Sequence, residues 1–262
     1  GVRSVEGSLE AELSPGTYSD FIGSILAKNF AAGGATTGAS ITIAASGSLF
    51  TLTRAAGSWL TDGFYVGNII RLTGAGFAPA NVGNNLLIVS LTALVATVVV
   101  LSGTTLVAEG PIASANAAVV GKQSYVPLSG HTDDSYTVEQ WFSDIAQSEV
   151  YTGLKPASIA LSLPSTGLVT ASLSFMGKNL EQTGTTQYFT SPAATNTEGI
   201  FAAVSGAVIV NGQPVGLITS MDLSISRNQE AANVVGSNFA ADIFVGRITA
   251  TGSLSVYFQD AV

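Results

Sequence analysis

Two stretches near the middle of the chain alternate apolar and small polar residues with a period of two. Their apolar positions are Ile159, Leu161 and Leu163 in the first, and Val169, Ala171, Leu173 and Phe175 in the second. The positions between them hold Ser, Thr and Ala. Because successive side chains of a strand point to opposite faces, this pattern predicts an antiparallel hairpin with one buried face. The residues from Pro164 to Gly167 suit its turn.

The same alternation recurs towards both ends of the chain. Residues 2–13 place Glu6, Glu10 and Glu12 opposite an apolar face. Residues 204–225 have the pattern of a second hairpin that turns at 211–214, with Asp222 on the polar side of its outgoing strand. Residues 248–258 form a last alternating strand. A short helical turn at most is expected at 143–150, and a polar loop at 227–241.

One segment has helical spacing instead. Its apolar stripe consists of Tyr18, Phe21, Ile22, Ile25, Leu26 and Phe30. The stripe predicts a helix over 17–30, with Thr17 as N-cap and Gly33-Gly34 at its end. Such a helix must lie on a sheet. The candidate helix–sheet packing residues are Phe21, Ile22, Ile25 and Leu26.

The composition shifts at residues 31–40, which are all Ala, Gly, Thr or Ser. Short strands are predicted after this linker at 41–45, 49–54, 68–73, 86–91, 95–101 and 105–108. The predicted fold class is therefore α+β and predominantly β, with two packed antiparallel sheets flanked by one helix. The core domain would comprise 1–35 and 123–262, and 36–122 would form an inserted small β domain, a barrel or sandwich.

Composition narrows the range of functions. Hydrophobic residues make up 47% of the chain and charged residues only 10%, well below the usual quarter, which suggests a surface covered by copies of itself. The net charge of −8 argues against a protein that grips nucleic acid through its phosphates. The chain has no cysteine, so disulfides and thiolate metal sites are excluded. No membrane segment and no signal peptide are predicted, since the longest apolar run is Leu94–Leu101.

Few residues suggest catalysis or ligand binding. His131-Thr132-Asp133-Asp134 could hold a divalent cation or act as acid and base, but a solvated turn is the favoured interpretation. Trp59 and Trp141 could stack on a sugar, although packing is the commoner role of a large aromatic side chain. The glycine pairs lack the Lys-Ser/Thr of a phosphate-binding loop. No catalytic, cofactor-binding or metal-binding residue is therefore predicted, and no cofactor.

Residues 136–178 contain the aromatic-acidic strand Tyr136–Phe142, then Asp144-Ile145, the strand VYTGLKPASIALSL and the ending SFMGK. In these features the chain resembles the tail tube (major tail) proteins of long-tailed bacteriophages. The resemblance covers Val2–Phe30 and Tyr125–Val262.

The resemblance implies a structural virion protein and not an enzyme. Its subunits would form stacked rings, usually hexamers, that assemble in the host cytoplasm into a tube for DNA ejection. The implied partners are the protein itself and other tail proteins such as tape measure, tail tip and tail terminator. DNA would cross the lumen without specific binding.

An acidic lining with short side chains would let DNA slide. The predicted lumen-lining residues are accordingly Glu6, Glu10, Glu12 and Asp222. The alternative is a secreted or surface β-sandwich module that binds glycan through Trp59 or Trp141. An enzyme that uses His131 ranks third.

Overall fold

The computed structural model describes residues 3–203, 208–210, 213–214 and 218–257. Its one α-helix is α1 (Ser19–Ile25), and a 3-10 turn covers Pro79–Asn81. The strands are β1 (Val5–Glu12), β2 (Ala31–Ala32), β3 (Ala35–Ser46), β4 (Leu49–Arg54), β5 (Ile69–Thr73), β6 (Asn85–Leu91), β7 (Val95–Ser102), β8 (Glu109–Val119), β9 (Lys122–Gln123), β10 (Tyr136–Phe142), β11 (Gln147–Pro164), β12 (Thr170–Gly177), β13 (Asn179–Gly184), β14 (Ile209–Val210), β15 (Gln213–Pro214), β16 (Ile218–Ser226), β17 (Glu230–Ala232), β18 (Asp242–Phe244) and β19 (Thr249–Val256). The predicted class, α+β and predominantly β, is confirmed.

The chain groups into two compact units. The first, here the main unit, comprises residues 1–30, 124–206 and 217–262. The second, here the barrel unit, comprises residues 31–123 and 207–216. Each unit has its own cluster of buried apolar side chains.

The main unit is built on five antiparallel strands in the order β1-β12-β11-β16-β19. The predicted central hairpin is confirmed, since Ile159 lies opposite Leu173 and Leu161 opposite Ala171. The N-terminal half of the long strand β11 continues beyond these partners and pairs with β10 and β13.

Helix α1 covers the apolar face of this sheet. Ile25 is fully buried in a cluster with Ile159, Ala171 and Leu173, and Phe21 and Ile22 pack against that cluster. Phe21 also makes edge-to-face contacts with Tyr136 and Phe175, at 5.0 and 5.2 Å between ring centroids. Leu26 is half-buried at the C-cap position.

The helix is much shorter than the predicted 17–30. The N-cap is Tyr18 instead of Thr17, and it makes no side-chain capping bond. At the other end Ala27 takes a left-handed φ of 58°, and the N–H groups of Ala27 and Lys28 donate to the carbonyls of Ser24 and Gly23. This pair of hydrogen bonds is a Schellman motif, which usually has glycine at the left-handed position. With alanine there, the sequence contains no stop signal before Gly33, so the predicted end is wrong.

The barrel unit is a closed barrel with the strand order β3-β4-β7-β6-β5-β8. Inward-facing side chains fill it: the largest that are fully buried are Trp59, Phe64, Ile41, Ile43, Leu52, Ile70, Leu72, Leu86 and Ile88. Closure pairs both edges of every barrel strand, which leaves no open edge within the barrel.

The sixth strand of the barrel differs from its prediction. A strand was expected at 105–108 with a return through Gly110-Pro111, whereas the sixth barrel strand is β8, Glu109–Val119. Proline donates no ladder hydrogen bond and normally excludes a central strand. Here Pro111 lies where the β3–β8 register shifts, between the pairs Ile43–Glu109 and Ile41–Ile112, so the irregular ladder accommodates it.

Three smaller expectations also differ from the structure. The predicted helical turn at 143–150 is a tight turn with Ala146 at a φ of 48°, after which β11 begins at Gln147. The polar loop at 227–241 contains β17, which pairs with β18. The predicted hairpin at 204–225 is present in part: Ile209 pairs with Pro214 and Val210 with Gln213 beside the predicted turn, whereas β16, which ends its outgoing strand, pairs with β11 and β19. Residues 204–207, 211–212 and 215–217 of that hairpin, and Phe258 of the last strand, lie outside the described residues.

Candidate functional site

One face of the five-stranded sheet is polar across its whole width. The strand register aligns three rows on this face: Ser8–Ser174–Ser158–Ser226–Thr249, Glu10–Ser172–Ala160–Ser224–Thr251, and Glu12–Thr170–Ser162–Asp222–Ser253. Ala160 is the one member of these rows without a hydroxyl or a carboxylate. Glu6 lies on the same face, one step further along β1. All four acidic residues predicted to line a lumen therefore share one surface, here called the polar face.

The polar face combines four carboxylates with many short hydroxyl side chains. Asp222 accepts hydrogen bonds from Ser162 Oγ at 2.7 Å and from Ser253 Oγ at 3.2 Å. Ser158 and Ser174 share a hydrogen bond of 2.6 Å. Glu10, Glu12 and Asp222 are exposed, and together with their hydroxyl neighbours they line a shallow trough of about 780 Å³. Within the three rows, β12 and β11 therefore carry only Ser, Thr and Ala, while Met176 lies opposite Glu6 beyond them.

The two outer strands of the sheet are poorly covered. Each residue of β19 is exposed, including Leu254 at 48% and Val256 at 53%. On β1, Leu9 is 41% exposed although it lies on the face that carries the helix. Among the described residues β1 pairs only with β12, and β19 only with β16. Both edges consequently offer unpaired backbone groups and apolar side chains to a partner.

A buried ion network, which the sequence did not suggest, connects β11, β18, the 131–134 loop and α1. Lys155 of β11 is buried and donates to Asp133 Oδ2 at 2.6 Å and to the carbonyl of Ile243 at 2.9 Å. Asp242 Oδ1 lies 3.6 Å from the same ammonium group. Arg227, equally buried, donates to the carbonyl of Ser24 in α1 at 2.9 Å and lies 3.8 Å from Asp133.

The charge states in this network follow from its geometry. Burial lowers the pKa of the Arg227 guanidinium, and the nearby Asp133 opposes that shift, so the group remains a cation. The pKa of Asp242 is lowered, first by the N–H of Ile243 and then by the charges of Lys155 and Lys178. These ion pairs and the Arg227–Ser24 hydrogen bond connect the 131–134 loop to α1, β11 and β18.

The 131–134 loop is therefore not the simple solvated turn that was favoured for it. Asp133 forms ion pairs with Lys155 and Arg227, and the N–H of Thr132 donates a hydrogen bond to the carbonyl of Ala27. Within the described part of the chain, no three His, Asp or Glu side chains come together as a metal site. The signal that could have identified the network is a lone basic residue in or directly after an alternating strand: Lys155 lies within β11, and Arg227 follows the last residue of β16.

Trp59 does not offer a sugar-binding platform. It is fully buried in the barrel, packs edge-to-face on Phe64 at 5.0 Å and donates from Nε1 to the carbonyl of Leu94 at 3.2 Å. The glycan-binding interpretation of Trp59 is therefore wrong, because no face of its indole is open. Trp141 is half-buried in β10, opposite Ser148.

Glu139 fixes the segment 185–200 to the sheet. Its carboxylate accepts hydrogen bonds from Ser148 Oγ at 2.5 Å and from the N–H groups of Tyr188 and Phe189 at 2.7 and 2.9 Å. The bond from Ser148, followed by that from Phe189, lowers the pKa of Glu139. Further along, Asn196 Nδ2 donates to the carbonyl of Pro15 at 2.7 Å. The segment thus lies across its own subunit although most of its residues are exposed.

The arrangement of the sheet is that of a structural protein. A sheet with one polar face, one helix-covered face and two uncovered edges is built to present surfaces, as a structural β protein does. In the described residues, no helix has the length and hydropathy needed to cross a bilayer.

Comparison with known families specifies the protein further. The chain belongs to the phage tail tube protein family, whose family model matches residues 1–262. The match extends beyond the two segments that carry the resemblance and includes residues 31–124. Comparison with curated proteins finds no match. The protein is a structural, major tail protein and a component of the virion.

Proposed function

We propose that this chain forms closed rings, with six subunits each, that stack into the tail tube and deliver genomic DNA through the bore. The observation that carries the proposal is the combination of one acidic, hydroxyl-rich face with two uncovered edges in the same sheet. Edge-to-edge pairing around a closed ring satisfies both edges without leaving a site for unlimited aggregation.

The number of strands in the sheet supports a ring of six. Six copies of a five-stranded sheet contribute about 30 strands, which at ~4.8 Å spacing gives a circumference of roughly 140 Å and a width of roughly 45 Å between backbones. That width admits a hydrated duplex after the short side chains are subtracted. A ring of three would halve it and exclude the duplex.

The charge of the polar face supports its place in the bore. Glu6, Glu10, Glu12 and Asp222 are acidic, and the described strands of this face carry no Lys or Arg in the three aligned rows. A basic lining would hold DNA by releasing its counterions, whereas an acidic one repels the phosphates and lets the duplex slide. With −8 per subunit, six subunits carry 6 × −8 = −48.

Membership of the family supports further proposals about the partners and the place of assembly. We propose that the other partners are tape measure, tail tip and tail terminator proteins, and that assembly takes place in the host cytoplasm. Residues 36–122 would form an inserted domain on the outside of the tube. Replacing them by a short Gly/Ser joint is then expected to leave ring formation intact. A shortened protein that folds but does not assemble would instead assign the insert to the tube wall.

The proposal is tested with the full-length chain and with the double variant Glu10→Lys, Glu12→Lys. Light scattering and electron microscopy of the unaltered chain should show rings or tubes. The variant should still form rings but impair DNA ejection, most at low salt, where screening is weakest. A monomer at every concentration would overturn the assembly. Rings with these carboxylates on the outer surface, or ejection unchanged by the double reversal, would overturn the placement of the bore.

A further inference from the structure

The five-stranded sheet of the main unit, here called the main sheet, has β1 and β19 as its edge strands, and these two strands run in the same direction. Each neighbouring pair in the order β1-β12-β11-β16-β19 is antiparallel. Direction therefore reverses four times between the first strand and the last. Because the number of strands is odd, β1 and β19 point the same way. With four strands they would point in opposite directions.

This polarity determines how a ring can close. Rotation about a ring axis carries each subunit onto the next without changing the direction of a strand relative to the axis or the circumference. The neighbour's β1 therefore runs in the same direction as the β19 beside it. We infer that adjacent subunits join β19 to β1 as parallel strands, with the hydroxyl row of one edge against the carboxylate row of the other. The inference rests on the proposed ring.

The side chains of the two edges are complementary in chemistry. On the polar face β19 presents the hydroxyls of Thr249, Thr251 and Ser253, while β1 presents the carboxylates of Glu10 and Glu12. Hydroxyls donate and carboxylates accept, so a continuous sheet gives each edge carboxylate a donor from the next subunit. The subunit already contains such an arrangement, because Asp222 is held by Ser162 on one side and Ser253 on the other.

The opposite face of the junction is apolar on both sides. Leu9 on β1 is 41% exposed, and Leu254 and Val256 on β19 are 48% and 53% exposed. Juxtaposing the two edges would remove these side chains from water, which favours association. Both faces of the junction are thus consistent with a second copy of this chain as the occupant.

Cysteine cross-linking can distinguish the two orientations whatever the register between the edges. The natural chain has no cysteine, so each double variant carries only the two that are introduced. One replaces Glu6, Ser8, Glu10 or Glu12 on β1, and the other replaces Thr249, Thr251, Ser253 or Ser255 on β19. Within one subunit the two edges lie four strand spacings apart, roughly 19 Å, so any disulfide must join neighbours.

The pattern over the sixteen combinations reports the orientation. In a parallel junction, moving the β1 cysteine two residues towards the C terminus moves its best partner on β19 two residues towards the C terminus as well. In an antiparallel junction the best partner moves towards the N terminus. A mismatch of two residues displaces the thiols by about 6.6 Å and should abolish the cross-link. The pair Ala160→Cys with Ser172→Cys, opposite each other within one subunit, confirms that oxidation works.

Assembly of each variant is checked by light scattering and microscopy before oxidation. A missing cross-link can therefore be distinguished from a failure to assemble. Covalent ladders with the parallel pattern support the inference. The antiparallel pattern overturns the inference. An intact ring that forms the control cross-link but no β1–β19 cross-link also overturns it. Neither of these two results contradicts the proposed function. Failure of the unaltered chain to assemble at any concentration overturns the proposed function and, with it, the inference.

Discussion

The barrel and the main sheet differ in how the backbone groups of their edge strands are paired. A β-sheet has two edges whose backbone groups need partners. In the barrel unit β3 and β8 pair with each other and close the sheet on itself, and its interior is filled by side chains such as Trp59. In the main unit β1 and β19 have no such partner among the described residues, and each residue of β19 is exposed.

The difference indicates where each unit obtains its stability. The barrel buries its own core and satisfies its own ladders, so its unfolding should not depend on protein concentration. In the proposed ring, the main sheet would obtain part of its hydrogen bonding and apolar burial from a neighbour. Its stability should therefore rise on assembly, because anything that binds only the folded state stabilises it.

The largest effect is expected from Ile25→Asp in α1. Ile25 is fully buried among Ile159, Ala171 and Leu173, so the new carboxylate would lack both water and a partner. The expected loss is several kcal/mol, enough to unfold a marginal domain. Circular dichroism and microscopy should show the main sheet unfolded and assembly lost, while the barrel keeps its own transition. Ile25→Val, which removes one methylene, should cost about 1 kcal/mol and leave assembly intact.

The reciprocal change is Trp59→Ala in the barrel. It removes a fully buried indole and the hydrogen bond to Leu94, at an expected cost of about 3–5 kcal/mol in the free energy of unfolding of the barrel. Trp59→Phe keeps most of the volume and should cost less. Both variants should still form rings. If Trp59→Ala abolished assembly, or if Ile25→Asp unfolded the barrel as well, the two units would not be independent and the comparison would fail.

A smaller loss is expected from Asp133→Asn, which removes one carboxylate from the buried Lys155 and Arg227. Asp133 is half exposed and Asp242 remains near Lys155, so we expect about 2 kcal/mol, less than for a fully buried pair. Chemical denaturation followed in the main unit measures it. Asp134→Asn, one residue further on, is the comparison variant and should cost less, because the charge of Asp134 acts on Arg227 more weakly than that of Asp133. Equal losses would show that the effect is not due to the ion pairs.

The alternation of residues was sufficient to predict the faces of the main sheet. Each apolar position from Ile159 to Leu163 lies opposite an apolar residue of β16, so a period of two assigned both faces correctly. The grouping of Glu6, Glu10, Glu12 and Asp222 on one surface followed from the same rule. The face on which a strand side chain lies depends only on its position in the two-residue period, so the sequence of each strand is enough to predict it.

What the sequence could not reveal depended on contacts between distant residues or on unusual backbone. Lys155 lies 22 positions from its partner Asp133, and no local pattern pairs them. The end of α1 was missed because alanine occupies a left-handed position that usually holds glycine. Strand β8 was missed because Pro111 normally argues against a central strand, and only the irregular pairing with β3 makes it acceptable.

The smallest expected effect is local and concerns Glu139, which anchors segment 185–200. Its pKa is lowered in the folded chain, so the ionised carboxylate is the form that the bonds from Ser148, Phe189 and Tyr188 favour. The ionised carboxylate therefore stabilises the folded chain at pH values above the ordinary Glu pKa of about 4.3. This stabilisation is lost as the pH falls through the lowered pKa that Glu139 has in the folded chain. Acid should therefore release the Tyr188 and Phe189 amides. Their NMR shifts should titrate with a midpoint below about 4.3.

Glu139→Gln should produce the released state at neutral pH, because a single amide oxygen cannot replace a carboxylate that accepts from three donors. Amide exchange at Tyr188 and Phe189 should then be faster than in the unaltered chain. Glu149→Gln is the matched control: it also neutralises an acidic residue in this part of the sheet, but Glu149 accepts from Tyr151 and not from the 185–200 segment. Unchanged exchange in Glu139→Gln, or equal acceleration in both variants, would show that the carboxylate of Glu139 does not anchor the segment. Since the segment belongs to the unit with open edges, its release should leave the thermal transition of the barrel unaltered.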